Sequence, residues 1–323
     1  MRLDGTRITL RIHRFELVAF GLGLGGLVIG LIFASVYLTS LRPGAECQAI
    51  VEFSPACEAA IRRFDGALWI GSLMKAPLLL VTYTIGLFLG VPIIARELER
   101  GTVRLAWALA PSRWRWYLAR LVPILLVVAI LTFVAGVATD QYLAASRPGS
   151  DPSQSFDDYG GRGGLLAARA VFVFAASVFV GSFIGRALPA MIVAALVATI
   201  GLYGGVSVHE RILQGEAVAI PADPTGQGIG GVKPGDKYIA QKFVLTDGTL
   251  VGYDYFYHDG APNEGGQGDS FDQNGNPRFP MVELVIPRER YRFVEARESA
   301  ALLAGSLVAL LVAGFVVARR RPG

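Results

Sequence analysis

The sequence predicts an all-α polytopic membrane protein with six transmembrane helices and a small extracytoplasmic, β-containing insertion between helices five and six. Of the 323 residues, 53% are hydrophobic and 17% are charged, whereas soluble domains average about 45–50% apolar and about 25% charged residues. The mean hydropathy is +0.47, and the apolar residues fall in runs of about 20, the length that crosses a bilayer as a helix. The solvent for these runs is therefore lipid.

Six segments have this length and composition. They are 17–41, 67–94, 117–139, 164–184, 188–207 and 299–318. The first follows a basic stretch, but its apolar run is too long for a signal peptide and no small-residue cleavage site closes it, so we interpret it as an uncleaved span. The fourth and fifth are separated only by residues 185–187, which predicts a tight helical hairpin.

The distribution of Lys and Arg predicts a multi-pass protein of the cell membrane with both termini cytoplasmic. The inner segments then carry 14 basic and four acidic residues, a net charge of +10, and the outer segments carry −8; Lys75 and Arg169 inside the spans complete the total of +4. The inner segments are 1–16, 95–120, 185–187 and 319–323, and the outer segments are 41–66, 139–163 and 208–298. The opposite orientation would place most of the arginines outside, against the positive-inside rule.

This topology divides the chain into four parts. They are a basic amphipathic leader at 1–16, helices one to five at 17–207 with a short helix near 102–110, an extracytoplasmic insertion at 208–298, and helix six with a basic cytoplasmic tail at 299–323. The leader alternates apolar and arginine side chains, which suits the inner membrane surface.

Two features of the outer segments bear on their structure. Cys47 and Cys57 share the first outer loop, where oxidation is possible, so they are expected to form a disulfide; two free thiols are the alternative. The insertion is too long for a connector, and its Asp247-Gly248 between two apolar runs predicts a β-hairpin.

Lys75 and Arg169 are the charges that fall inside predicted spans. Such residues favour a functional role in the membrane. Both lie near the outer ends of their spans, so snorkelling of long side chains to the interface is the alternative.

Helix one carries two pairs of glycines spaced by four residues. They are Gly21 with Gly25, and Gly26 with Gly30. Small residues at this spacing let another helix approach closely, which predicts a dimer contact or a contact within the subunit. Tolerance of glycine in a lipid-embedded helix explains the same pattern without any partner.

Several enzyme classes lack their motifs. The sequence contains no G-x-x-x-x-G-K-[S/T] nucleotide loop, no G-x-S-x-G elbow and no H-E-x-x-H pair. Three histidines and two cysteines give little material for a metal site. We therefore expect no catalytic residues, no metal and no cofactor bound by this chain.

The inner segment 95–120 is the most informative stretch. Gly101 is expected to end one helix, Thr102 to cap a short helix over 103–110, and Pro111 to end it before span three. This arrangement predicts a short helix across the inner face, placed to receive force from a cytoplasmic partner. An amphipathic loop without a partner is the alternative.

The pattern Glu97-x-x-x-Gly101-Thr102, an apolar short helix and then Pro111-Ser112-Arg113 resembles the inner loop of membrane permeases of the type-2 ABC exporter class. The six-span layout, the basic leader and the enlarged outer segment extend this similarity. The stretch 291–295 leading into span six and the basic end resemble permeases of this class that are common in actinobacteria. The outer insertion of 208–298 is larger than the short hairpin typical of the class.

The resemblance implies that the leader is a connecting helix and that 102–110 is a coupling helix docking on a separate cytoplasmic ABC ATPase subunit. ATP and magnesium are then expected on that partner. The working complex would join this chain to a second permease copy or a homologous permease in the lipid bilayer, without nucleic acid. Glu97, Glu99 and Arg104 are the residues expected to contact the ATPase.

The predicted function is therefore that of the permease subunit of an ATP-driven exporter. Its substrate is expected to be amphipathic or lipid-like, such as an antibiotic, peptide or lipid. The alternative is a membrane-anchored ligand sensor or immunity protein that uses the outer insertion without transport. A proton-coupled carrier is disfavoured because the spans lack repeated carboxylates, and a polytopic enzyme because no reactive side chains converge.

Overall fold

The computed structural model describes residues 11, 13–44, 47, 54–110, 112–222, 232–252 and 279–320. The helices are α1 Arg14–Ser40, α2 Pro55–Gly90, α3 Pro92–Glu99, α4 Val103–Leu109, α5 Arg113–Ser146, α6 Gly163–Ile184, α7 Ala187–Glu216 and α8 Tyr291–Arg319. The strands are β1 Val218–Pro221, β2 Lys237–Val244, β3 Leu250–Val251 and β4 Met281–Ile286. Most of the predicted leader, 1–10 and residue 12, lies outside the described residues.

Within the described residues, six helical segments are long and apolar enough to cross a membrane. They are α1, α2 together with α3, α5, α6, α7, and α8 with the turn before it. The predicted six-span α-helical architecture is therefore confirmed. The helix of the second segment is interrupted at Val91, because Pro92 has no N–H to donate to the preceding turn.

The second span begins earlier than predicted. α2 starts at Pro55 rather than near residue 67, because the Ser54 hydroxyl accepts a hydrogen bond from the Cys57 backbone N–H at 3.3 Å and caps the helix. Proline also suits the first helical position. The predicted outer segment 41–66 is thus helical over its second half, where its charged residues hid the helix from a hydropathy criterion.

Both ends of the predicted insertion 208–298 are also helical. α7 continues to Glu216, and α8 begins at Tyr291. These extensions carry charged residues, so the hydrophobic runs stop before the helices do. The strands lie between these two helices in the chain, as the sequence predicts, but they occupy a shorter stretch than the predicted insertion.

The chain forms two compact units, of which the first contains residues 1–149, 158–205 and 294–323. Its main core joins buried side chains of α1, α2, α5, α6 and α8, including Leu31, Ile85, Ile124, Phe174 and Ala313. A second core joins α2, α6 and the alanine-rich face of α7. Small alanine side chains allow that face of α7 to lie close to its neighbours.

Two glycines of α2, spaced by four residues, bring this helix against α6. A Cβ at Gly86 would lie 2.8 Å from the backbone nitrogen of Phe174, and a Cβ at Gly90 would lie 2.7 Å from the Cβ of Ser177. Neither distance is compatible with a side chain unless the helices move apart. The α2–α6 contact therefore depends on glycine at both positions.

The second unit contains residues 150–157 and 206–293. Its four strands form one antiparallel sheet in the order β1-β4-β2-β3. Segment 150–157, from the α5–α6 connection, joins this unit through the Phe156 backbone N–H, which donates to the Gly235 carbonyl at 2.8 Å. The sequence did not predict this addition to the insertion.

The predicted hairpin at Asp247-Gly248 is confirmed. β2 and β3 pair with Phe243 opposite Val251, and Gly248 has the positive φ of 84° that such a turn requires. The Thr249 backbone N–H donates to the Asp247 carboxylate at 2.8 Å and lowers the pKa of that carboxyl group.

We expect Gly86→Ala to destabilise the first unit by about 1–3 kcal/mol, because the added methyl group overpacks the α2–α6 contact. The matched control is Gly25→Ala on α1, where an added Cβ meets nothing within 4 Å. Thermal unfolding of the purified protein in detergent should show a lower melting temperature for Gly86→Ala alone. Equal melting of the two variants would contradict the close α2–α6 contact.

Candidate functional site

The short helix α4 lies between α3 and α5 and has well-defined ends. Gly101 follows α3 with φ of 69°, the left-handed conformation that commonly ends a helix. The Ser112 hydroxyl accepts a hydrogen bond from the Arg115 backbone N–H at 3.2 Å and caps α5. The predicted helix end at Gly101 and the predicted cap at Ser112 are confirmed, whereas Pro111 lies outside the described residues.

Thr102 occupies the predicted N-cap position before α4, but the predicted capping hydrogen bond of its side chain is absent. Thr102 has helical backbone angles and its side chain does not cap α4. Its hydroxyl instead donates a hydrogen bond to the Glu97 carbonyl at 3.5 Å. The Thr102 φ of −66° and ψ of −19° differ from the extended geometry that a capping side chain needs.

Arg113 ties α4 to the end of α8. Its guanidinium donates to the carbonyl oxygens of Ala318 at 3.0 Å and Arg320 at 2.8 Å, which the end of a helix otherwise leaves unsatisfied. The same guanidinium lies over the Trp107 ring, 4.5 Å from its centroid. Trp107 in turn meets Trp116 of α5 edge to face at 6.2 Å. Movement of α4 is therefore linked to both α5 and α8.

A set of ion pairs lies beside this element. Glu97 of α3 pairs with Arg120 of α5, and both side chains are mostly buried. Arg96 donates to Glu16 of α1 at 2.7 Å. His13 is buried before α1, and this burial lowers its pKa. These contacts join α1, α3 and α5 at one end of the bundle.

Two of the charges predicted to contact a partner have contacts inside the chain. Glu97 is held by Arg120. The Glu99 carboxylate accepts a hydrogen bond from the Ala187 backbone N–H at 3.0 Å, at the first residue of α7. Glu99 nevertheless remains exposed, whereas Glu97 does not present a free carboxylate. The side chain of Arg104 lies outside the described part of the chain.

The exposed surface of α4 is apolar instead. Leu105 is 67% exposed, and Ala108, one turn further, is exposed beside it. Val103 of the same helix is buried in the main core and fixes which side faces outward. The sequence reasoning favoured charges and so missed Leu105. The spacing of Leu105 and Ala108 from the core residue Val103 is the signal that could have found it.

The second polar cluster of this unit surrounds Arg169. Its guanidinium donates to the Glu298 carboxylate through Nη2 at 2.7 Å and Nε at 3.2 Å, and to the Gly160 carbonyl at 3.2 Å. The Tyr159 hydroxyl donates to the other Glu298 oxygen at 2.8 Å. The Glu298 side chain is only 8% exposed. A charge that the sequence places inside a span is therefore paired with a buried carboxylate.

Lys75 is paired as well. Its ammonium group lies 2.5 Å from the Asp158 carboxylate and 4.9 Å from the centre of the Tyr142 ring. Nearby along the same connection, the buried Arg162 donates to Asp140 at 2.8 Å. These pairs hold the chain between α5 and α6 against α2 and α5.

The carboxylates of this cluster were assigned from the sequence to the outer segments. Asp140 lies in the last turns of α5, and Glu298 in the early turns of α8, because both helices extend beyond their hydrophobic runs. Counting them as loop charges hid their pairing with Arg162 and Arg169, and counting Asp158 in the same way hid the partner of Lys75. Helix periodicity alone does not reveal pairs between residues that are 22, 83 and 129 positions apart.

The remaining predicted sites are the glycines of α1 and the two cysteines. Gly30 of α1 packs against Met74, whereas added Cβ atoms at Gly21, Gly25 and Gly26 would meet nothing within 4 Å in the described chain. The predicted disulfide is present: Cys47 and Cys57 are bonded, with their Cα atoms 5.3 Å apart.

The six apolar helices of this fold define a multi-pass α-helical membrane protein. The family model described as "ABC-2 membrane transporter related" matches residues 22–209, more than half of the sequence, and the chain belongs to this family. It is therefore an ABC-2 type membrane permease. Members of this family are in general non-catalytic transport subunits that pair with an ATPase subunit. No curated protein and no solved structure shows a match to the sequence.

We expect Glu298→Ala to destabilise the first unit by about 3 kcal/mol, because it leaves the Arg169 guanidinium without its buried partner. The control is Glu58→Ala, whose exposed pairing with Arg62 should contribute less than about 1 kcal/mol. Thermal unfolding in detergent gives the comparison.

A third variant separates the charge from the packing. Arg169→Met with Glu298→Met removes both charges, so it should recover most of the stability lost in Glu298→Ala. A double variant less stable than Glu298→Ala would show that the ion pair does not explain the effect.

Proposed function

We propose that this chain is the permease subunit of an ATP-driven exporter that moves an amphipathic or lipid-like substrate outward. A separate ABC ATPase subunit binds ATP and magnesium and docks on α4. The observation that carries this proposal is the exposed apolar surface of α4 at Leu105, on a helix that is anchored to the bundle. The family supports it, since its members pair in general with an ATPase.

An exposed leucine on a short helix suits protein docking. Isolated apolar side chains are common on surfaces, but this one is fixed by the burial of Val103 on the same helix. Apolar anchors that enter a pocket of the partner contribute most of the binding energy in protein interfaces. Exposed Glu99 and Arg100, just before α4, supply charges for the rim of such a contact.

The contacts of α4 give a path for force from the ATPase. A push on α4 acts on Trp107 and Arg113, and through them on α5 and the end of α8. The ion pair between Glu97 and Arg120 links α3 to α5, so that the two helices move together. In this mechanism the charges flanking α4 transmit movement inside the permease, whereas Leu105 makes the contact outside it.

The proposed orientation places α4 and both termini in the cytoplasm. The excess of Lys and Arg in the inner segments supports it. The same orientation places the Cys47–Cys57 disulfide and the sheet on the outer side, where oxidation is possible.

A second permease completes the proposed transporter. The open faces of Gly21, Gly25 and Gly26 on α1 support close approach of a helix from that second subunit. Many large exposed side chains along α1, α5 and α7 are hydrophobic, and the two charges that the sequence places inside spans, Lys75 and Arg169, are paired. A pathway with such walls favours a substrate that is itself largely apolar.

We expect Leu105→Asn to reduce stimulation of the partner ATPase by the permease about tenfold, because one buried apolar anchor contributes about 1.5–3 kcal/mol to a contact. The permease and a candidate ABC ATPase are co-purified, and ATP hydrolysis is measured with and without the permease.

The control is Leu188→Asn. Leu188 is 71% exposed in the first turn of α7, next to the residue bonded by Glu99, but it lies off α4. This variant should stimulate hydrolysis as the native chain does. Equal activity of the two variants would exclude α4 as the docking surface, and no binding by the native chain would favour a sensor without transport.

A further inference from the structure

A cleft opens between the C-terminal ends of α6 and α8. Its volume is about 380 Å³, and it is lined by Ser182, Phe183, Phe315, Val316, Arg319 and Arg320. The rings of Phe183 and Phe315 are each about half exposed on either side of it. The cleft therefore has apolar walls along the helices and two guanidinium groups at the helix ends.

The two arginines differ in their contacts with the rest of the protein. Arg320 donates through Nη1 to the Ser182 carbonyl at 2.8 Å, which joins α8 to α6. Arg319 is exposed and lies over the Phe315 ring, 4.1 Å from its centroid. Across the described residues, no carboxylate pairs with either guanidinium. No carboxylate of the described residues therefore neutralises the charge of the cleft.

The position of the cleft limits what it can bind. Both helices are membrane spans, and the two arginines lie at the end of α8, where lipid headgroups begin. A ligand there meets hydrocarbon-facing phenylalanines and cationic groups within one cleft. Basic pockets between transmembrane helices are suited to anionic headgroups.

We propose that this cleft binds one anionic phospholipid, with its phosphate at Arg319 and Arg320 and its first acyl segment between Phe183 and Phe315. Arg319 supplies the larger share of the headgroup contact because Arg320 is already engaged with Ser182. The bound lipid also covers the seam between α6 and α8 beside the carbonyls that Arg113 holds. The site is separate from α4 and does not depend on which substrate is transported.

Native mass spectrometry of the full-length protein in detergent tests this proposal. Phosphatidylglycerol is the anionic lipid, phosphatidylcholine is the neutral lipid, and glycerol 3-phosphate is the soluble phosphate. We expect one phosphatidylglycerol to be retained in preference to phosphatidylcholine. Arg319→Gln should weaken retention about fivefold, the usual effect of one basic side chain near an anionic lipid, and Arg319→Lys should retain most of it.

The matched control is Arg115→Gln, which removes an exposed arginine from the first turn of α5 outside the cleft. It should leave retention unchanged. Equal losses in Arg115→Gln and Arg319→Gln, or equal retention of the two lipids, would overturn the site. Full displacement of the lipid by glycerol 3-phosphate would show a site for free phosphate instead of a lipid.

Discussion

Charged groups inside the membrane-spanning part of the chain need partners within the protein, because hydrocarbon offers them neither water nor counter-ions. The first unit meets this constraint in two places. Arg169, Lys75 and Arg162 are paired with carboxylates around the α5–α6 connection, and Glu97 and Arg96 are paired among α1, α3 and α5. These pairs join helices that are distant in sequence. They also determine which charges remain free for other roles.

The pairing changes how the element around α4 is understood. Charges beside a short exposed helix suggest contacts with a partner protein, but Glu97 is paired with Arg120 inside the bundle. The side of α4 left open is apolar and carries Leu105. Arg113 connects this helix to the last carbonyls of α8, so α4 is exposed without being loosely attached. An element that transmits force needs both properties, an open face for contact and a firm link to the spans.

The sequence predicted those parts of the fold that hydrophobic length and local turn chemistry control. The six spans, the hairpin at Asp247-Gly248, the end at Gly101 and the cap at Ser112 are of this kind. Features set by contacts across the fold were missed. Glu298 was counted in an outer segment because its helix continues past the hydrophobic run, and the glycine pair at Gly86 and Gly90 was overlooked while the less enclosed pairs of α1 were chosen.

The central claim is that α4 lies on the cytoplasmic face and that Leu105 enters the contact with an ATPase. Labelling of a Leu105→Cys variant by a membrane-impermeant maleimide tests it most directly, since Cys47 and Cys57 are joined to each other. We expect labelling in inside-out vesicles, protection when the ATPase is bound, and no labelling of intact cells. Labelling from outside intact cells, or labelling in inside-out vesicles that a bound ATPase leaves unchanged, would contradict it.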